Sequence, residues 1–383
     1  MAADPSTLVK TRAPSPSHSF KQKLGCWLHE RWLTELVLRF PGLAGLLGLS
    51  WLNLCNRAEK LSDDVISGGR VCHWPDSSML TVARIFPPVG SRLLSHALAA
   101  WPVRFNFTPQ RVVSEHPKVS ILIPIGGNDR LPQFELALAA ARAQEGIEFE
   151  VVVIEQAVKP QLAARLPADV RYLHQRRTPG EFGFNKSWAL NGGAREARGD
   201  ALIILDGDYL LPVSFASEAF RVMREAEGAR PARMLFYLDE RSTGELSSVP
   251  NLSGMVGVEA VVANNPTPIV VRRSTYWEIG GHDEAYFGWG GEDTEFIDRL
   301  RTRSISEGGW LPVAHAWHRP AVKKDNGDRN RELHRRTMAV STHERIRRLT
   351  RDMGGGMFPR SGTAFSVGDS TTPAISLAVE RLP

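Results

Sequence analysis

Three short segments carry residues whose types and spacing suit chemistry. Asp206-Gly207-Asp208 follows the apolar run ALIIL. Carboxylates two positions apart on an extended segment project to one side, and the intervening glycine lets backbone approach a ligand closely. Such a pair suits a divalent ion bridging to a diphosphate, because Mg²⁺ and Mn²⁺ take hard oxygen ligands and keep positions open for phosphate. Asp-Gly-Asp is equally an ordinary turn. The segment WLPVAHAWHRP sets His315 and His318 three apart. On a helical turn they share a face and suit one ion; on a regular strand they diverge and each is satisfied locally. In FGWGGEDTE, residues 287–295, three glycines surround Trp289 and lead straight into Glu292 and Asp293. Glycine costs about 1 kcal/mol relative to alanine inside a regular element, so the stretch predicts a shaped loop. An aromatic face beside carboxylates matches a sugar, which presents an apolar face and hydroxyls. The same acids also suit the first turn of a helix over EFIDRLRTR, where they oppose the helix dipole.

The elements that must position these groups follow from the apolar pattern. KVSILIPI predicts a buried strand, LPQFELALAAARAQ an amphipathic helix and FEVVVIEQ a second strand. FNKSWALNGGAREARG predicts a helix with Asn185 and Lys186 at its start, and ALIILDGD a third strand. Backbone donors and a lysine at a helix N-terminus suit phosphate, although a solvated helix start uses the same residues. Continuous apolar strands alternating with helices indicate an α/β domain with a mainly parallel sheet covered on both faces. Its ligands belong at the carboxyl ends of the strands.

With 383 residues, 42% of them hydrophobic and 23% charged, the chain has room for one large catalytic domain with appendages, or for two domains. The balance of 47 basic against 42 acidic groups gives net charge +5, too even to imply nucleic acid. It admits a nucleotide or an anionic membrane surface. Cys26, Cys55 and Cys72 are odd in number and show no CxxC spacing, which predicts reduced thiols without a zinc site. The N-terminus lacks the basic-then-apolar order of a secretory signal, so a cytoplasmic location is expected. Residues 1–20 are expected to be disordered and residues 21–114 to form a helical, possible membrane-associating region. Residues 115–335 are expected to form the α/β domain that carries the candidate chemistry, and 336–383 a basic helix and flexible tail. Within the second region, the uninterrupted apolar run FPGLAGLLGLSWLNL is about 15 residues, short of the roughly 20 that span a bilayer. It suits a packed helical pair or a helix lying in the membrane interface, peripheral to the inner membrane face. The basic stretch RNRELHRRTMAVSTHERIRRLTR predicts a solvated helix or, alternatively, electrostatic attachment to anionic lipid.

Taken in order, VSILIPIGGNDR, VVVIEQ, FNKSWALNGGAREA, LDGDYLLP, VVRRSTYWEIGGHDEAYFGWGGED and HAWHRP resemble the inverting glycosyltransferases of the GT-A fold. The likeness is to family 2 and to the β-1,4-galactosyl- and N-acetylgalactosaminyltransferases, over about residues 115–320. The resemblance implies a transferase that moves a hexose or N-acetylhexosamine from a UDP-sugar to a glycan or lipid-linked hydroxyl. Surface polysaccharide or glycoconjugate synthesis is the implied setting, with no nucleic-acid partner. It implies Mn²⁺, or Mg²⁺, held by Asp208 and His318, with His315 where galactosyltransferases carry a methionine. It gives Asp293 the role of general base with Glu292 beside it, and Trp289 that of a mobile-loop lid. Pro124, Arg130, Glu155, Phe184, Lys186, Asp206, Trp289 and Gly291 fall at donor-binding positions. Two departures stand out. IPIGGNDR is richer in glycine than the family's usual proline-aromatic-Arg-Asn-Arg run, and Thr294 replaces an acid that galactosyltransferases use on the acceptor.

Two other classes compete with this reading. A sugar nucleotidyltransferase also uses a parallel sheet and acidic metal sites, but it calls for a basic phosphate loop, and IPIGGNDR supplies only Arg130. A non-catalytic carbohydrate-binding or membrane scaffold protein fits the N-terminal region and the basic segment, and leaves the retained acidic elements without a purpose.

Overall fold

The computed structural model describes residues 18–108, 114–127, 129–177, 183–253, 256–319, 326–354 and 364–366. The expected disorder of the N-terminus and the expected flexible tail fall almost wholly outside these residues. The N-terminal region opens with helices α1 (Phe20–Cys26), α2 (Trp32–Arg39) and α3 (Pro41–Leu46), followed by α4 (Thr81–Ile85) and α5 (Pro88–Ala100). Ser19 starts α1 with a capping box shared with Gln22, which satisfies two backbone donors that the first turn leaves open.

The central sheet is built on β1 (Val119–Ile125), β2 (Phe149–Ala157), β3 (Val170–Arg176) and β4 (Ala201–Ile204). These four run parallel in the order β4-β1-β2-β3. All seven residues of β1 and all nine of β2 are buried. That is the pattern of strands covered on both faces. A strand running antiparallel to β4, called β8 below, a short strand at 228–229 and another at 305–306 extend the sheet on one side, so it is mixed at that edge.

The chain leaves β1 outward to β2 and β3, then returns to place β4 on the other side of β1. This creates a switch point between the carboxyl ends of β1 and β4, the crevice where open α/β sheets take ligands. Helix α6 (Leu131–Ala141) follows β1 and α7 (Lys186–Glu196) follows β3. A smaller sheet holds β5 (Tyr209–Leu210), β6 (Ala232–Leu238), β7 (Val258–Ala263) and β9 (Leu311–His315), with β8 (Ile269–Arg272) belonging to the central sheet. Helices α8 (Glu292–Leu300), α9 (Gly327–Met338) and α10 (Thr342–Gly354) follow, and a strand at Ala364–Ser366 pairs antiparallel with β3 at the other edge of the central sheet.

Two expectations are revised. Helix α6 is buried around most of its circumference rather than amphipathic, because it lies between two cores. Phe134, Leu138 and Ala141 face the core under the central sheet, while Leu136, Ala139 and Ala140 face the core shared with the N-terminal helices. The basic segment after residue 328 is two helices, and the second is not solvated all round. Arg345 is buried and its Nη1 donates to Glu295 Oε1 at 2.6 Å, which fixes α10 to α8.

Candidate active site

Residues from four separate stretches meet at the switch point. Strand β4 ends at Ile204, and the chain turns over 206–209, where the Tyr209 amide donates to the Asp206 carbonyl at 3.2 Å. The turn separates the two carboxylates, which an extended segment would have aimed to one side. Asp206 Oδ1 lies 2.7 Å from Lys186 Nζ, and its Oδ2 accepts from Thr267 Oγ1 at 3.0 Å. Asp208 faces Arg130, His315 and His318 instead.

The histidines reach Asp208 through strand pairing. Strand β5 runs antiparallel to β9 with Tyr209 opposite His315, and the Ala316 amide donates to the Asp208 carbonyl at 2.8 Å. His315 ends the strand and the chain then turns, so His318 returns to the same carboxylate. Asp208 Oδ2 is 3.7 Å from His315 Nε2 and 3.4 Å from His318 Nε2. Ligands about 2.1 Å from one ion stand roughly 3–3.5 Å apart, so these three atoms fit a common cation. His318 Nδ1 donates to the Arg319 carbonyl at 3.1 Å, which leaves the Nε2 lone pair to face inward, the usual second contact of a ligating imidazole. Tyr237 stacks on the His315 ring at 4.4 Å and fixes its plane. Two imidazoles and one carboxylate form a donor set closer to Mn²⁺ than to Mg²⁺, which favours oxygen alone. Burial works to raise the Asp208 carboxyl, but His315, Arg130 and His318 outweigh it and hold it below the usual range. Burial and then the Arg130 charge lower His318, which favours the neutral imidazole that can ligate.

On the other side of Asp206 stands the acidic loop. Gly288, Gly290 and Gly291 all have positive φ, at 70°, 103° and 95°, a conformation that side chains other than glycine resist. A Cβ on Gly291 would come 2.8 Å from the Tyr286 ring, so this position requires glycine twice over. Gly291 caps α8, whose first residues are Glu292 and Asp293. The Gly288 amide donates to the Phe184 carbonyl at 2.7 Å, and Asn330 Nδ2 donates to the carbonyls of Phe287 and Trp289. Trp289 is 37% exposed at the rim.

Lys186 joins the two sides. It is the first residue of α7, which Asn185 caps by accepting from the Trp188 amide at 2.9 Å. Its Nζ contacts Asp206 and also Asp293, at 3.1 Å to Oδ1 and 2.9 Å to Oδ2. Burial opposes the lysine's charge, yet Asp206 and Asp293 raise it well above the ordinary value. Burial raises the Asp293 carboxyl against the pull of Lys186. Burial and then the Asp293 charge push Glu292 up to about 7, and its Oε2 is buried without a hydrogen-bond partner among the described residues.

The remaining donor-binding positions divide. Phe184 lies against Gly126 at the end of β1, where a Cβ would overlap its ring, and a Cβ on Gly207 would stand 3.8 Å from the Pro124 carbonyl oxygen. Arg130 caps α6 and reaches Asp208 Oδ2 at 3.0 Å. Glu155 stays apart: its oxygens accept from the Gln161 and Leu162 amides and from the Tyr172 hydroxyl, which commits them within the fold. Part of the glycine-rich loop, Asn128, lies outside the described residues.

Sequence reasoning did not single out His282. It is buried, stacks on Phe296 at 4.1 Å, and turns Nε2 toward Asp293 Oδ1 at 4.0 Å. The Tyr276 hydroxyl donates to Asn191 Oδ1 at 2.7 Å and so is left to accept from His282 Nδ1 at 3.0 Å. Its place inside IGGHDEAYFGWGGED was the available signal.

Two family models match the chain in succession. Residues 120–265 match the family described as glycosyl transferase family 2, and residues 269–315 match the one described as the N-terminal domain of galactosyltransferase. Validoxylamine A glucosyltransferase of Streptomyces hygroscopicus subsp. limoneus is 23% identical over 246 residues. That match covers 53% of this chain and 52% of the relative, so the chain spans about half the length of the curated relative it matches. Among solved structures, the catalytic domain of Drosophila β1,4-galactosyltransferase 7 in complex with xylobiose is 18% identical with a TM-score of 0.33, covering 57% of this chain and 79% of that one. S. aureus TarS 1–349 in complex with UDP is 14% identical with a TM-score of 0.37, covering 51% and 60%.

Proposed function

We propose that the chain, which matches glycosyl transferase family 2 over residues 120–265 and a galactosyltransferase domain over residues 269–315, is an inverting, metal-dependent glycosyltransferase of the GT-A fold that uses a UDP-sugar. The donated group is a hexose or N-acetylhexosamine, and the acceptor is a hydroxyl of a glycan or lipid-linked molecule in surface polysaccharide or glycoconjugate synthesis. The enzyme works in the cytoplasm, peripheral to a membrane. One observation carries this reading: Lys186 ties Asp293 to Asp206, while Asp208, two residues on, faces His315 and His318. A base and a cation site are thereby held on opposite sides of one short turn, as a single displacement requires.

In this mechanism Asp293 accepts the proton of the attacking acceptor hydroxyl, and its raised pKa improves it as a base. Lys186 keeps that carboxylate ionised and oriented until the proton arrives. Glu292, raised to about 7 and so half-protonated near neutral pH, offers a proton to a sugar oxygen in its protonated form. Asp208, His318 and His315 would hold Mn²⁺, and a cation there would supply positive charge to the departing diphosphate. Arg130 moves from Asp208 to the same phosphates, where its guanidinium is the better matched partner. Trp289 covers the sugars and excludes water, which otherwise hydrolyses the donor.

The test is transfer from a panel of UDP-sugars to glycan and polyprenyl-linked acceptors, run beside titration of UDP with and without Mn²⁺. Asp293→Asn is expected to retain Mn²⁺-dependent UDP binding and to lose transfer. Transfer at the wild-type rate in that variant removes Asp293 as the base, and UDP binding indifferent to Mn²⁺ removes the metal role.

A further inference from the structure

Most large apolar side chains that stand exposed among the described residues lie in one short stretch, residues 20–47. Phe20, Leu24, Trp27, Leu28 and Trp32 follow at helical spacing along α1 and the turn that joins it to α2, and four more lie between Phe40 and Leu47. The opposite face of the same helices is spoken for: Cys26, Val37 and Ala44 enter the core shared with α4, α5 and the smaller sheet. The outer face is therefore not a misplaced core face. It is a second apolar surface on a region already docked.

The charges sort in the same way. The exposed charged or titratable side chains between residues 20 and 48 are Lys21, Lys23, His29 and Arg39. The two acids of this stretch, Glu30 and Glu35, are half-buried and hydrogen-bonded. Glu35 accepts from Arg39 and Arg92, and Glu30 accepts from the Arg57 amide. An apolar stripe with two tryptophans, rimmed only by basic groups, is complementary to anionic headgroups over an acyl boundary. It is a poor match for a second copy of the chain, because a two-fold interface sets the same patch against itself and would oppose Lys21 and Lys23 to equal charges.

We propose that the outer face of α1–α3 rests in the headgroup layer of an anionic bilayer, with Trp27, Leu28 and Trp32 inserted and Lys21 and Lys23 on lipid phosphates. No helix among the described residues is long and apolar enough to cross a membrane, so this contact is one of lying on the surface. The inference extends the peripheral location proposed above and rests on no step of the transfer chemistry.

The experiment is co-sedimentation of the full chain, without donor or metal, with vesicles of phosphatidylcholine alone and of phosphatidylcholine mixed with phosphatidylglycerol. The wild-type chain is expected in the pellet with the anionic vesicles and to leave it as salt is raised. Lys21→Gln with Lys23→Gln should weaken that partition by about fivefold for each lysine and leave any binding to neutral vesicles unchanged. Trp27→Gln, Leu28→Gln and Trp32→Gln together should abolish sedimentation with both. All five side chains are exposed or lysine stems, and the lysine pair keeps the test valid if the triple variant folds poorly. A chain that stays in the supernatant with anionic vesicles overturns the proposal. So does a dimer by light scattering that the triple variant returns to monomer, because the face then belongs to a second copy. Neither result touches UDP binding or transfer, which are read separately.

Discussion

Lys186 Nζ lies 2.9 Å from Asp293 Oδ2, although the two residues open different helices and are 107 positions apart in the chain. The same ammonium holds Asp206 at 2.7 Å, so one buried cation sits between two half-buried acids. Truncating one partner of such a group leaves the others uncompensated, which costs more than the pair contributes when intact.

Lys186→Met keeps the length of the side chain and removes its charge. Asp293, already raised by burial, then loses the group that lowers it. The acid limb of the kcat/KM profile should move to higher pH, and transfer at neutral pH should fall by about 10²-fold as the base becomes protonated. Rate profiles of the two proteins between pH 5 and pH 9 check this. An acid limb that does not move means that Lys186 does not govern Asp293.

Glu292 gives a prediction about stability. Its folded pKa is raised to about 7 by burial and by Asp293. A carboxyl with a raised folded pKa binds its proton more tightly in the folded state. Its contribution to stability is whole below the unfolded value, near 4.5, and is lost as pH rises through the folded value. Glu292→Gln removes that loss, so the variant should gain on the wild type between pH 5 and pH 8, by at most about 1.4 kcal/mol per pH unit. Urea unfolding at several pH values reads it directly; a difference that is constant with pH contradicts it.

The cation site separates two roles that meet at Asp208. Arg130 Nη1 lies 3.0 Å from the same Oδ2 that faces both histidines, so a bound cation and this guanidinium compete for one oxygen. Mn²⁺ at about 100 times its Kd should stabilise the wild-type chain by roughly 2.7 kcal/mol. Asp208→Asn and His318→Ala should abolish that gain. Arg130→Gln should increase it while weakening UDP binding, because the cation loses a competitor and the diphosphate a partner. Thermal unfolding with and without Mn²⁺, followed by UDP titration, distinguishes these outcomes.

Much of the fold is legible along the chain because it is local. VSILIPI and FEVVVIEQ are near-continuous apolar runs, broken only by Ser120 in the first and by Glu150 and the closing Glu155-Gln156 in the second, which marks strands buried on both faces. The acidic loop is legible because glycines at positive φ leave a compositional trace. What escapes is long-range. The approach of His318 to Asp208 depends on the pairing of β5 with β9, strands separated by some hundred residues, and no spacing within HAWHRP reveals it. Nor does the sequence show that Asp206 and Asp208 part company, since the turn at Tyr209 is fixed by that same pairing. The burial of α6 on both faces also depends on where the N-terminal helices pack, which its own alanines do not disclose. His282 is the clearest case, because Asn191, Tyr276 and Phe296, which orient it, come from three different elements.

That histidine yields the last prediction. Burial, Arg299 and Lys186 lower it well below its ordinary pKa, so it is neutral. Nδ1 donates to Tyr276, which leaves a lone pair on Nε2 aimed at Asp293 Oδ1. Nothing donates to that nitrogen among the described residues while Asp293 is ionised. Once Asp293 has taken a proton it becomes a donor, and closing the 4.0 Å gap gives it an acceptor. His282 thus acts on Asp293 as a positioning residue that favours the state after proton transfer. His282→Phe keeps the stack on Phe296 and removes the acceptor. It should lower kcat by about tenfold, a loss of about 1.4 kcal/mol typical of a hydrogen bond to a group whose charge changes, with KM for the donor unchanged. The acid limb should move to lower pH, opposite to the shift in Lys186→Met, because the protonated carboxyl loses a stabilising contact. His282→Asn, whose side-chain oxygen accepts, should recover part of the rate. A purely structural role for His282 would lower the unfolding temperature of both variants and leave the acid limb where it stands in the wild type.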